Sequence, residues 1–377
     1  MTSLKVLLVN LGFLPDSVGG SEYYTYHLAK ALIQRQYDVT VLTTVKRDEV
    51  KRFSVYRENF EDIQVIKIVN SHHYQSRFVD SFIEPTIEEI FKNLLVEEEF
   101  NLVHFQHLAY LSGRLPEISD QLNVPTLLTL HDYWHMCFRS QLVREGHGIC
   151  PGPSGGVFCA SCSDPQGKPS SPTSKSPRLL KVLTVPAIKK LLIILSSGLP
   201  QTIMARCKSW LPKTPAAKKE LAMNPHILTT LEHQFRFDFF KKQLRFPKFV
   251  LSPSAHLKKR FESEGFRDIR VVPLGFKKQM PLPPLPFKGK LKIAYIGNFI
   301  RNKNGLHLLT ELKSLKDRST LEIRFHGRAI DQQYFEEILQ HAKEFPKDTV
   351  NFFGGYNSHQ DLQEILKQTH LVIFPSL

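Results

Sequence analysis

His131 and Asp132 close the apolar run Leu127-Leu128-Thr129-Leu130. A polar pair at the carboxyl end of a strand lies on the ligand-facing side of a parallel sheet. There His131 can donate a hydrogen bond or polarise a hydroxyl, and His131 and Asp132 are the candidate catalytic residues. His104 and His107, in and after the strand Leu102–Phe105, widen this to a shared cleft; a satisfied structural histidine is the alternative for each. Gly19 and Gly20 precede a helical pattern that opens at Ser21. Glycine lets a ligand approach the backbone closely, and exposed N–H groups at a helix start favour an anion. Lys303, in Gly297-Asn298-Phe299-Ile300-Arg301-Asn302-Lys303-Asn304-Gly305, sits between a strand and a helix and suits a diphosphate. A simple turn and a solvated lysine are the bland readings of these two segments.

Four of the five cysteines, Cys137, Cys150, Cys159 and Cys162, fall close together, the last two with C-x-x-C spacing. In a reducing compartment four thiolates point to a tetrahedral structural zinc site. Cys207 stands apart and reads as packing.

These residues need elements to hold them. Residues 6–9 read as a strand, 21–32 as a helix and 38–43 as a second strand, a βαβ unit. Strands recur at 63–68, 102–105 and 126–130, so the first domain is α/β with a doubly wound parallel sheet. The segment 137–247 interrupts the rhythm with a Gly/Pro/Cys stretch, a Ser/Pro/Lys linker (168–177) and helical sequence. Strand–helix–strand order resumes at 249–273. The Pro-rich run 281–286 then marks a domain boundary. Alternating strands and helices follow from 291 to 374, and the last residues, Pro375-Ser376-Leu377, come directly after a strand.

The net charge is +14, and the block from 163 to 260 holds 19 Lys/Arg against four acids. Such a block seeks an anionic surface, among which lipid headgroups, nucleic acid and phosphorylated substrates are the options. The run 187–195, apolar and flanked by charge, reads either as a membrane-interface segment or as a buried helix. A nucleic-acid partner would need aromatics interleaved with the charge. That reading rests on the charge alone, with Phe235, Phe237, Phe239 and Phe240 as the aromatics it would use, and nucleic acid is not the expected partner. No apolar run reaches the roughly 18 residues of a spanning helix, and the N-terminus carries no export signal. The expected location is cytoplasmic, with peripheral contact on the inner face of an anionic membrane.

Taken in order, these segments resemble glycosyltransferase family 4, a family of retaining enzymes with the GT-B fold. The resemblance is carried by the opening strand with Gly19-Gly20-Ser21-Glu22, and by Tyr37-Asp38-Val39-Thr40-Val41. It continues through Leu102 to His107, Pro125 to Cys137, Ser252-Pro253-Ser254 and Pro273-Leu274-Gly275. It implies two Rossmann-like, doubly wound parallel-sheet domains facing a cleft. Residues 1–280 would form the acceptor-side domain with the 137–247 insertion, and 288–377 part of the nucleotide-sugar domain. The donor would be a UDP- or GDP-sugar and the acceptor a polysaccharide, glycolipid or other lipid-linked glycan. By carry-over, Gly19 and Gly20 lie near the donor diphosphate or acceptor, His131 bonds the transferred sugar and Lys303 neutralises the leaving diphosphate. No catalytic cofactor is implied. Asn298 stands where the family commonly carries arginine, with Arg301 as the nearby substitute. The family's paired-glutamate segment is expected just past Pro375-Ser376, so the second domain is expected to be incomplete. The alternative reading is a truncated, non-catalytic module that binds acceptor or membrane.

Overall fold

The computed structural model describes residues 3–70, 78–144, 148–163, 225–275, 283–287, 289–356 and 359–376. The linker 168–177, the apolar run 187–195, Cys207 and most of the basic block lie outside the described residues. The contacts divide the chain into two units, Met1–Lys277 and Lys278–Leu377.

The first unit is built on β1 (Lys5–Val9), α1 (Gly20–Ile33), β2 (Asp38–Val45), β3 (Val55–Phe60), β4 (Ile63–Val69), α2 (Pro85–Glu98), β5 (Leu102–Phe105), α3 (Leu115–Gln121) and β6 (Thr126–Thr129). After these come a short hairpin, β7 (Val143–Arg144) and β8 (Gly148–Ile149), and the helices α4 (Val157–Ser163) and α5 (Pro225–Gln243). β9 (Phe249–Ser252), α6 (Ala255–Ser263) and β10 (Ile269–Val271) complete it. The sheet order is β10-β9-β6-β5-β1-β2-β4-β3. Its neighbours run parallel, except that β3 is antiparallel to β4.

Period-two alternation explains the layering. Leu7 and Val9 of β1 join Leu42, Val103 and Phe105 against Phe91 and Leu95 of α2 on one face. Val6 and Leu8 join Val39, Val41 and Val65 against Ala29 of α1 on the other. With both faces covered, β1 reads as a continuous apolar run. Truncating fully buried Leu8 to alanine is expected to cost about 2–5 kcal/mol.

β3 is the one strand of this sheet that the sequence reading passed over. Its solvent-exposed alternation (Tyr56-Arg57-Glu58-Asn59) is that of a charged edge strand. The interior cation of the sheet, Lys67, is paired with Asp16 and Glu58.

In the insertion, α5 packs its aromatics inward: Phe237, Phe239 and Phe240 are buried and Phe235 lies against the same core. They are therefore not a base-stacking surface. Gly156 permits the contact between α5 and the turn before α4. Its φ is +85°, and a Cβ there would meet the Thr230 carbonyl oxygen at 2.3 Å.

The second unit contains β11 (Leu291–Ile296), α7 (Gly305–Lys313), β12 (Leu321–His326), α8 (Gln332–Ala342), β13 (Val350–Phe353), α9 (His359–Lys367) and β14 (Leu371–Ile373). Its parallel sheet has the order β13-β12-β11-β14. Tyr295, Phe299 and Phe325 stack in its core with Phe335 and Phe352. Asp331 caps α8 by accepting from the Tyr334 amide.

Candidate functional site

Parallel strands that run side by side end on one edge, so residues just past their ends gather there. In the first unit Asn10 follows β1, Gln106 and His107 follow β5, and His131 and Asp132 follow β6. Backbone bonds from Asn10 N to Leu42 O (3.0 Å) and from Gln106 N to Val9 O (2.8 Å) extend the sheet through these positions.

His131 Nε2 lies 2.8 Å from Gln106 Oε1, and Tyr24 of α1 rests on the imidazole at 5.3 Å between ring centres. Burial, reinforced by the neighbouring His107, pushes the His131 pKa down to about 4, with Asp132 and Glu22 opposing it. His131 is thus neutral at physiological pH.

His107 accepts from the Ala109 amide at Nδ1, which leaves Nε2 protonated to donate to Asp132 Oδ2 at 3.2 Å. The other Asp132 oxygen accepts from the Trp134 amide at 2.7 Å. Burial raises the Asp132 pKa, but these two donors outweigh it and hold the carboxyl below its ordinary value. Asp132 is therefore an anchor that fixes the turn after His131. His104 bonds Thr129 Oγ1 at 2.8 Å within the sheet, and burial pushes its pKa down to about 4.

The sequence reading missed Asn10 and Gln106. Asn10 is fully buried with both side-chain polar atoms unpartnered, and Gln106, 1% exposed, leaves Nε2 without a partner. Buried amides left open cost free energy unless something bonds them. They are the strongest mark of a polar ligand here. The available signal was the one used for His131: a polar residue directly after an apolar strand.

Gly19 is the extended N-cap of α1, with φ −159°. Beside it, Glu22 accepts from Ser17 and Ser21 at 2.7 and 2.8 Å, tying the loop to the helix. A Cβ on Gly20 would meet nothing within 4 Å, so this helix start is open.

In the second unit the loop after β11 is pinned from below, where buried Tyr295 donates to the Asn298 carbonyl at 3.1 Å. Asn298 Oδ1 accepts from the Arg328 amide at 3.4 Å. Arg301 forms a fork with Glu337 at 2.7 and 3.2 Å and lies over the Tyr334 ring. Its charge is thus shared with α8. Lys303 is exposed just before α7, and its ammonium has no partner among the described residues.

Two further residues here went unread in the sequence. A Cβ on Gly327 would meet the Gly297 carbonyl oxygen at 2.0 Å, so the loops after β11 and β12 touch through backbone. His326, buried at the end of β12 and stacked on Phe353, leaves Nε2 unpartnered.

Two units, each with a mostly parallel sheet and polar groups at the carboxyl ends of its strands, match the fold of GT-B glycosyltransferases. Residues 18–155 match the family described as Glycosyltransferase Family 4, and residues 279–377 match Glycosyl transferases group 1. The chain is a glycosyltransferase of the family 4 type. Among solved structures it is similar to HepE of Anabaena in complex with UDP and glucose (TM-score 0.51, 13% identity, 99% of this chain and 74% of that one). It is also similar to the trehalose-6-phosphate structure from E. coli bound with UDP-2-fluoro glucose (TM-score 0.55, 10% identity, 99% and 78%). A glycosyltransferase from Rickettsia africae gives TM-score 0.50 at 12% identity, over 100% and 74%. At these identities the likeness is one of fold. No curated protein matches the chain.

Proposed function

We propose that this chain transfers a sugar from a UDP- or GDP-sugar, with retention of configuration, to a glycan or lipid-linked acceptor. The observation that carries the reading is the pair of unpartnered buried amides, Asn10 and Gln106, on the strand-end edge that also carries neutral His131. Such amides suit a ligand dense in hydroxyl groups. A neutral imidazole can bond a sugar hydroxyl without placing positive charge near an anomeric carbon that itself turns cationic. The second unit contributes Lys303 and the start of α7, suited to the negative charge that grows on the leaving diphosphate. HepE, whose structures hold UDP and UDP-glucose, supports the choice of donor class.

The basic block supports a lipid-linked acceptor, because it would draw the protein to an anionic membrane surface where such acceptors reside. Among the described residues no helix is long and apolar enough to cross a membrane.

The test is a transfer assay with UDP- and GDP-sugars and lipid-linked acceptors in vesicles, the product anomer read by NMR. Transfer that keeps the donor's configuration is expected. An inverted product would overturn retention, and no turnover of any nucleotide-sugar by the folded chain would overturn the transferase reading.

A further inference from the structure

Outside the site, three separate segments bring their cysteines to one place. Cys137 lies on the loop that carries His131 and Asp132, and its amide bonds Tyr133 O at 2.6 Å. Cys150 follows the β7–β8 hairpin and is tied back to Leu142 O at 2.7 Å. Cys159 and Cys162 lie three residues apart on α4, on one face of the helix. None of the four forms a disulfide, and all four line a single cavity of about 10 Å³.

A second observation concerns charge. Arg236 of α5 is 3% exposed and donates to the Trp134 carbonyl at 2.5 Å, packed against the Trp134 and Phe240 rings. No carboxylate among the described residues forms an ion pair with it. The groups that act on it electrostatically are Cys137, Cys159 and Asp132. A buried guanidinium needs an anion nearby; Asp132 is one such group, and the cysteine cluster would be a second when ionised.

We propose that Cys137, Cys150, Cys159 and Cys162 bind one structural zinc ion as thiolates. A zinc tetrathiolate carries two net negative charges, and Arg236 would offset one of them. Zinc suits four soft ligands in a closed tetrahedral site. As the side chains stand, no group of three or more ligating residues among those described is drawn together to hold a metal. Binding would draw the four sulfurs in to a Zn–S distance of about 2.3 Å. The ion would staple the hairpin and α4 to the loop that presents His131.

The experiment is elemental analysis of the full chain purified under reducing conditions, followed by cobalt substitution. One zinc per chain is expected, with the visible bands of tetrahedral thiolate cobalt after exchange. Cys159→Ser with Cys162→Ser should lose the metal, while Cys207→Ser should retain it. Arg236→Met, with all four thiols intact, should weaken zinc affinity about 10- to 100-fold. If the double variant does not fold, the cobalt spectrum of the unaltered chain decides alone. A folded chain with no zinc, no cobalt bands and four freely reacting thiols would overturn the proposal, as would disulfides among these cysteines.

Discussion

Gln106 Oε1 and His131 Nε2 stand 2.8 Å apart, on side chains that leave the adjacent strands β5 and β6. With the glutamine oxygen accepting, Nε2 carries the proton and Nδ1 is left to accept from a sugar hydroxyl. Gln106→Leu should lower kcat about tenfold, the worth of one buried hydrogen bond. Gln106→Glu should do something different. A carboxylate beside His131 favours the imidazolium, so the acid limb of the pH–rate profile should rise from about 4 into the ordinary histidine range. An unmoved limb would show that His131 does not govern it.

Acid stability follows from the same burial. His104 and His131 each have a pKa of about 4 in the fold, against 6.5 for the free side chain. As pH falls, the unfolded chain takes up these protons first. Stability is therefore full above pH 6.5 and declines until about pH 4, by roughly 3 kcal/mol per histidine. Denaturant unfolding across that range should show the decline, and His104→Gln should flatten it. An equally steep decline in the variant would assign the protons elsewhere.

Two glycines separate ligand contact from fold. Gly20→Ala meets no atom within 4 Å, so it should leave the melting temperature unchanged or slightly raised. It should nevertheless cut kcat/KM about tenfold or more if a substrate reaches the open start of α1. Gly327→Ala would drive a methyl into the Gly297 carbonyl oxygen and should destabilise the second unit by about 1–3 kcal/mol. Unchanged kinetics for Gly20→Ala would place the substrate away from α1.

Arg301 and Lys303 should behave unlike each other, although only Asn302 separates them. Arg301 is 47% exposed and already paired with Glu337, so Arg301→Ala should cost under about 1 kcal/mol of stability. Its effect on UDP affinity should stay below about threefold, because its charge is already shared. A tenfold loss on Arg301→Ala would make it the substitute for the arginine that the family commonly carries at position 298.

Much of the fold could be read because its strands are buried on both faces and appear as unbroken apolar runs, as at Val6–Val9. β3 escaped for the opposite reason: an edge strand half in water has no apolar run to see. His131 stands out in the sequence because a polar pair interrupts such a run. Asn10 and Gln106 obey the same rule, but single amides look like ordinary loop residues until burial shows their atoms unpartnered. The roles of Asp132 and Arg301 were not legible, since each depends on a partner distant in sequence. For Arg301 it is Glu337; for Asp132 it is His107. The α5 aromatics looked like a surface series, and only the packing showed them to be core.

The most direct test of the account is calorimetric titration of the full chain with UDP and GDP, and with their sugar conjugates. Saturable binding is expected, weakened about tenfold or more in Lys303→Ala, since one charge-assisted hydrogen bond is worth about 1.5–3 kcal/mol. A folded chain that binds no nucleotide, or whose binding is indifferent to Lys303→Ala, would contradict the donor site proposed for the second unit.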